Sequence, residues 1–383
     1  MTSSAYESPW MDDELRLYRD SVRRFIQEEF LPHQTRWREQ HHPDASDWLS
    51  AGRVGLLLPD VPAEYDGGGG TFAYECVVLE ELARAGVHFG SNVHSTVAHY
   101  VLAYGTEEQK RAWLPRMAGG ELVGAIAMTE PAAGSDLGGI KTTAVRDGDH
   151  YVISGSKTMI TNGWHAGLVC LAVKTNPSAP TMRAISLVIV ETKDLAGYSV
   201  GHPLEKVGMH GQDTCELFFE NVRVPAANLL GGVEGRGMSQ MMQRLPFERL
   251  SIAVGAVAMA EEAVAVTIRY AKERVLQAKP LFDLQNTRFK LAECATEVRV
   301  GRVFVDDCIA RYLAGELGDV GAAMAKYWLT ECQCRVVDEC VQLHGGYGYM
   351  TEYAIARMWA DSRAQRIYAG ANEVMKELIA WSL

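Results

Sequence analysis

The chain has 383 residues, more than one small core holds, and this points to two or three packed units. With 48% hydrophobic and 22% charged residues it is composed like a globular protein rather than a disordered one, and a net charge of −11 disfavours nucleic acid or an anionic membrane as main partner. No apolar run approaches the roughly 20 residues needed to span a bilayer. The start, MTSSAYESPWMDDELRLYRD, lacks both the apolar stretch of a secretory signal and the Arg-rich, acid-poor character of a transit peptide. A cytoplasmic protein is expected. Its eight cysteines are scattered, without a C-x-x-C pair, and read as free thiols of a reducing compartment. The eleven histidines show no H-E-x-x-H spacing, so no metal site is expected.

Three textures follow one another. Over 1–122 the pattern is helical: Leu15, Tyr18, Val22, Phe25 and Ile26 recur at spacings of three and four, with charges between them. The stretch 59–71, PDVPAEYDGGGGT, interrupts it with a run of glycines that frees the backbone. The helical pattern resumes over 74–85 and again toward Tyr104. From 123 to 233, short apolar or β-branched runs at 152–153, 168–173, 185–190 and 217–219 alternate with turn residues. Asp147-Gly148-Asp149, between the runs 142–145 and 151–153, is a hairpin signal. A compact antiparallel β unit is predicted there. From 234 to 383 the segments 250–272, 286–313, 322–343 and 352–364 are helical and joined by short breaks, the pattern of a helix bundle.

Chemistry is first suggested at 128–139, MTEPAAGSDLGG, where the first β run ends. Pro131, Gly134, Gly138 and Gly139 make a tight, permissive loop, and Thr129, Ser135 and Asp136 offer short polar groups. Such a loop can bring backbone N–H groups and hydroxyls against a polar ligand. On the residues alone, a solvated glycine-rich turn is the simpler reading.

The loop does not stand alone. It continues through 140–144, IKTTA, and 155–163, GSKTMITNG, and further blocks follow at 341–349, VQLHGGYGY, and 366–376, RIYAGANEVMK. In order and approximate spacing these blocks resemble the acyl-CoA dehydrogenase family over nearly the whole chain. The resemblance implies an α+β fold: an N-terminal helical domain (1–122), a middle antiparallel β domain (123–233) and a C-terminal four-helix bundle (234–383), in a homotetramer. It implies FAD, fatty-acid β-oxidation and electron-transferring flavoprotein as electron acceptor. By the same resemblance Ile126, Met128, Thr129, Gly134 and Ser135 cradle the flavin, Met159 lies against its ring and Thr161 reaches toward its N5. Ser135 also contacts the CoA side of the substrate. Arg274 and Gln285 are implied at the pyrophosphate and adenosine part, with Gln342, Gly345 and Gly346 from a neighbouring subunit; Ala371 and Glu373 complete the cofactor set. The family's Arg-x-x-Phe-Gly reads Arg274-Val275-Leu276-Gln277-Ala278 here, without the aromatic and the glycine.

Removing the α-proton of an acyl thioester while hydride leaves the β-carbon requires a base within hydrogen-bonding reach and stabilisation of enolate-like charge. Many family members carry a glutamate in a Tyr-Glu-Gly-Thr motif. Here the motif reads Tyr368-Ala369-Gly370-Ala371, and alanine accepts no proton. In the long-chain and isovaleryl branches the base stands in a Glu-Arg-Leu sequence, which this chain has as Glu248-Arg249-Leu250. The resemblance therefore implies Glu248 as base. Pro246 suits a first helical position and would place Glu248 in a first turn, where the helix dipole favours the anion. Substrate contacts are implied at Ser135, Phe247, Arg249, Ala369 (through its N–H) and Gly370, with a wall from the helix around 92–100. Two alternatives stay open: action on a carrier-protein-bound acyl group, or an acyl-CoA oxidase. A flavin- and DNA-binding relative without dehydrogenase activity would carry a basic C-terminal segment, which is absent from this acidic sequence.

Overall fold

A computed structural model describes residues 6–383; the first five residues, part of the start read above for targeting signals, lie outside the described residues. Helices α1 (Asp13–Phe25), α2 (Gln34–Gln40), α3 (Ala45–Arg53), α4 (Phe72–Ala85), α5 (Ser91–Tyr104) and α6 (Glu107–Ala118) come first. Local chemistry sets their ends. The Asp12 carboxylate accepts the Leu15 N–H at 2.8 Å at the start of α1. Thr106 and Gln109 form a reciprocal capping box on α6. Gly86, at φ 64°, closes α4. Leu15, Val22 and Ile26 are buried, as their spacing predicts.

The middle of the chain forms one seven-stranded sheet. Its strands are β1 (Val123–Ala127), β2 (Thr143–Asp147), β3 (His150–Thr161), β4 (Ala166–Lys174), β5 (Ile185–Glu191), β6 (Tyr198–Val200) and β7 (Thr214–Pro225), with a short helix α7 (Thr181–Ala184) before β5. The predicted hairpin is β2–β3, with Asp147 opposite His150 and Gly148 at φ 62° in the turn. One amendment concerns direction. β1 runs parallel to β4, and β2 meets β4 in a single parallel bridge at Thr143–Lys174, so the sheet is mixed rather than wholly antiparallel. The reason is topological: the loop after β1 and the whole β2–β3 hairpin intervene, and the chain re-enters beside β1 in the same direction.

The last stretch holds α8 (Gly237–Glu273), the two-stranded hairpin β8 (Val275–Leu276) and β9 (Lys279–Pro280), then α9 (Gln285–Leu313), α10 (Asp319–His344), α11 (Ala354–Ser362) and α12 (Asn372–Ala380). Three long helices, α8, α9 and α10, and the shorter α11, which packs on both α8 and α10, form the bundle, and α12 packs on α10. The segment expected over 352–364 is therefore the nine-residue α11 followed by a 3-10 turn. α8 has 37 residues and starts well before the predicted 250, because Pro246 lies inside it rather than at its first turn. Its most apolar 18-residue window has a mean hydropathy of 1.6, and 67% of that window is buried in the protein. That apolar surface is used in packing.

The N-terminal helices are joined to the bundle by both oil and charge. Phe72, Cys76 and Leu79 of α4 share a core with Phe247, Leu250 and Val254 of α8 and Val305 and Ile309 of α9. Beside it, buried Arg302 binds Glu80 of α4 at 2.5 Å and Glu261 of α8 at 2.8 Å. The charges are paired within the interior, as burial demands.

Candidate active site

The 128–139 loop is held from behind and open in front. Lys157, its side chain wholly buried, reaches Glu130 Oε1 at 2.8 Å and donates to the Met128 carbonyl at 3.0 Å. Glu130 also accepts the backbone N–H of Lys141 at 2.6 Å and of Thr142 at 3.0 Å. Burial pulls the Lys157 ammonium down to about 8. Burial pushes the Glu130 carboxyl up, but hydrogen bonds from Lys157 and Thr142 outweigh it and hold the group below its usual range. Both are charged at neutral pH. The Glu130 carboxylate is thus turned inward, while Gly134, Ser135 and the second acid of the loop, Asp136, are exposed and Ile126, Met128 and Thr129 are half-buried.

β3 ends beside this loop. Its pairing with β7 slips between Lys157 and Ile160, and there Met159 takes φ 59° and stands 68% exposed. Thr161 follows, half-buried. Next, Asn162 is buried and donates to the carbonyls of Gly90 and Gly124 at 2.9 and 3.0 Å. Gly90 is needed at this contact: it caps α5 at φ 81°, and a Cβ there would lie 2.0 Å from Asn162 Oδ1. The junction sets α5 against the sheet.

α5 and α8 then meet side by side. The Tyr100 hydroxyl donates to Glu248 Oε1 at 3.0 Å, and the His99 ring stacks on Phe247 with centroids 4.3 Å apart. Glu248 sits well inside α8, so the first-turn environment predicted for it is absent; the long helix runs through Pro246 and the dipole gives no help. Burial pushes the Glu248 carboxyl above its ordinary value, opposed by the Tyr100 hydrogen bond and by the fields of Arg244 and Arg249. Phe247, expected at the substrate, is only 2% exposed and packs between Phe72, His99 and Tyr312. Neighbouring positions on a helix point about 100° apart, so the glutamate and the phenylalanine serve different sides.

Arg249 is buried, and among the described residues its Nε has no hydrogen-bond partner. It lies by the loop between α11 and α12: a Cβ on Gly370 would come within 4.0 Å of Arg249 Nη2. Ala369 and Gly370 both have left-handed backbones, φ 49° and 91°. Buried Lys326 of α10 fixes this turn, donating to the Gly370 carbonyl at 2.7 Å and to Asn372 Oδ1 at 2.9 Å. Ala371 and Glu373 continue it into α12. Between α4, α5, α8 and this turn lies a cavity of about 80 Å³ lined by Ser91, Asn92, Ser251, Ile252, Gly255, Met259 and Tyr368, among others.

The remaining predicted positions fall elsewhere. Arg274 is the C-cap of α8, ~39 Å along the axis from Glu248 at about 1.5 Å per residue. The Tyr347 ring lies 5.5 Å below its guanidinium, and Gln285, Gln342, Gly345 and Gly346 are exposed. The hairpin after Arg274 forms although the family glycine is missing; Gln277 and Ala278 take φ 50° and 64° themselves. Sequence reasoning gave no role to Lys157, Glu130 or Lys326, and placed Tyr100 only within the substrate-wall helix, not beside Glu248. Lys157 left a signal, as a lone cation in an otherwise apolar and hydroxylic strand.

A helical domain, a mixed sheet and a helical bundle set a half-buried carboxylate, Glu248, beside a cavity, with an exposed glycine-rich loop on the sheet, an arrangement suited to an enzyme site. Family models described as the N-terminal, middle and C-terminal domains of acyl-CoA dehydrogenase match residues 12–121, 125–222 and 235–383. The pig (Sus scrofa) mitochondrial long-chain specific acyl-CoA dehydrogenase is 44% identical over 367 residues, 95% of this chain and 85% of that protein. The crystal structure of an acyl-CoA dehydrogenase from Geobacillus kaustophilus superposes with a TM-score of 0.96 at 46% identity, covering 98% of this chain and 99% of the other. A glutaryl-CoA dehydrogenase from Mycobacterium smegmatis in complex with FADH2 gives 0.90 at 27% identity, covering 97% and 95%. The chain belongs to the acyl-CoA dehydrogenase family.

FAD is the cofactor, and the residues present fit it. A flat ring with apolar faces and a polar edge suits an exposed Met159 beside the half-buried Thr161 and Thr129. Gly134 leaves open space, since a Cβ there would meet nothing within 4 Å. The buried Glu130 keeps its charge away from that surface.

Proposed function

We propose that this chain catalyses α,β-dehydrogenation of an acyl-CoA to a trans-2-enoyl-CoA, with Glu248 removing the α-proton. One observation carries the reading: the turn that bears a glutamate in many relatives bears Ala369 here, while Glu248 stands half-buried where α5 meets α8, hydrogen-bonded by the buried Tyr100. FAD, when bound, supplies the hydride acceptor. The chain's own residues do the rest. Burial raises the proton affinity of Glu248, which makes a carboxylate a serviceable base near neutral pH. The left-handed turn at Ala369 and Gly370, fixed by Lys326, presents the Ala369 N–H as donor to the thioester carbonyl, where enolate charge develops. Arg249, with its unpartnered Nε, and Ser135 stand on the CoA side. The cavity along Ser251 and Gly255 takes the acyl tail.

Ile126, Met128, Thr129, Gly134, Ser135, Met159 and Thr161 hold the flavin end of FAD, with Ala371 and Glu373 nearby. Arg274, Gln285, Gln342, Gly345 and Gly346 serve the adenosine end of a neighbouring protomer's site. The long axial separation of Glu248 and Arg274 on one rigid helix supports that sharing, and a homotetramer is proposed with it. The chain is divided into units 1–122, 123–233 and 234–383. Electrons pass on to electron-transferring flavoprotein. Eight free cysteines suit a reducing compartment, and a cytoplasmic location is proposed with them.

Glu248→Gln tests the assignment. The variant should retain FAD, yet its yellow colour should persist when acyl-CoA is added without oxygen. Bleaching at the wild-type rate sinks the role of Glu248.

A further inference from the structure

We infer that Tyr100 is the positioning residue of the base: its hydroxyl grips one oxygen of Glu248, leaves the other free for the α-proton and keeps the carboxylate ionised. The inference rests on Glu248 being the base. It goes further by naming the group that aims it and sets its proton affinity.

The geometry is specific. Tyr100 is completely buried on α5, and its Oη donates to Oε1 of Glu248 at 3.0 Å across the α5–α8 contact. The donor cannot wander. One residue earlier His99 stacks on Phe247, and His99 Nε2 is itself tethered to Asp60 Oδ2 at 3.1 Å. One turn later the Tyr104 hydroxyl donates to the Gln240 carbonyl and to Gln243 Oε1, both at 3.1 Å. Three consecutive contacts thus fix the two helices in register on both sides of the Tyr100–Glu248 bond. They brace α8 around Pro246, where the ring nitrogen leaves one carbonyl of the helix without its usual donor.

The chemistry follows from what each neighbour does to a carboxylate. A hydroxyl that donates to the anion favours the anion. Burial acts the other way. Arg244 and Arg249 on α8 favour the anion through their fields, and the buried Cys170 thiol on β4 is pushed up partly by the charge of Glu248. Tyr100 stays protonated, because burial and the adjacent carboxylate raise it. It is therefore a permanent donor. Without it, Glu248 would hold its proton to a higher pH and would be free to rotate away from the substrate.

The test compares wild-type holoenzyme with Tyr100→Phe, which keeps the ring and removes the donor. kcat/KM for an acyl-CoA is measured from pH 5 to 9 with an artificial electron acceptor, beside FAD content and thermal unfolding. A hydrogen bond to a charged group is of a size that displaces a pKa by about one unit. The acidic limb should therefore move up by about one pH unit, with FAD content unchanged, and the plateau should fall about tenfold as the carboxylate loses its aim. A limb and plateau at the wild-type position overturn the role of Tyr100. Tyr100→Gln, which retains an N–H donor, should bring the limb back; a limb displaced equally in both variants also overturns it. Glu248→Gln is run in parallel. Turnover in that variant removes the base assignment itself, whereas its inactivity together with an unmoved Tyr100→Phe limb rejects the present inference alone.

Discussion

Replacing Lys157 by methionine keeps length and volume and removes one charge from behind the flavin-facing loop. In the wild type the Lys157 side chain is 0% and that of Glu130 5% exposed, and the ammonium also satisfies the Met128 carbonyl. The variant would leave the Glu130 carboxylate buried with two backbone donors and no counter-charge, and the Met128 carbonyl without its donor. Removing one partner of a buried pair costs about 3–5 kcal/mol. The two surviving N–H bonds to Glu130 put this case near the lower end, about 3 kcal/mol, or roughly a hundredfold in the folded-to-unfolded ratio. Urea unfolding followed by fluorescence, and FAD retention on gel filtration, measure the two consequences. Adding Glu130→Gln to Lys157→Met should recover a good part of the loss, since the buried charge goes with its partner. The pH dependence has a defined sign. Glu130 is held below its usual range in the fold, so its pairing stabilises above the ordinary carboxylate pKa and is lost as pH falls through the folded value. The gap between wild type and variant should accordingly close in acid. A single variant within about 0.5 kcal/mol of wild type that still binds FAD would refute the view that this pair shapes the loop.

Two further outcomes are expected. Gly255→Leu should fill the cavity, because a Cβ there meets only Ala83 Cβ, at 3.9 Å. The longest acyl-CoAs accepted should lose about tenfold or more in kcat/KM and short ones little; an unchanged chain-length profile rejects the cavity as the tail site. Glu248→Gln should also be the more stable protein at pH 8. Burial raises the folded pKa of Glu248, so its contribution is fully present below the ordinary carboxylate range and is lost as pH rises through the folded value. A gain in Tm is expected at pH 8 and none near pH 4; the reverse order by calorimetry contradicts it.

The architecture was legible because it is written in periodicity. Leu15, Val22 and Ile26 bury as their spacing predicts, and the Gly148 turn falls where the hairpin signal placed it. The position of Glu248 was legible by resemblance, from Glu-Arg-Leu together with the vacancy at Ala369. Its environment was not. Pro246 reads as a helix start, but packing against α4, α5, α9 and α10 carries α8 through it, and tertiary burial outweighs the local signal. Tyr100 lay within the helix expected as a substrate wall, but its bond to Glu248 was hidden for a different reason: its partner lies 148 positions away, and an aromatic in an apolar helix stripe looks like core until the two helices are placed side by side. The parallel pairing of β1 with β4 depends likewise on where the chain returns, which no local pattern records.

The length of α8 has a consequence for genetics. On the sharing of sites between protomers proposed above, a stiff rod that presents a base partway along and an arginine at its end gives each chain two duties in two different pockets. Lesions at those places are complementary rather than additive. In an assembly that mixes a chain altered at Glu248 with one altered at Arg274, one pocket collects both faults and the next collects neither. Two alleles that each inactivate the enzyme alone would then restore turnover together, and the behaviour of a mutation in a mixed assembly would depend on which end of one helix it strikes.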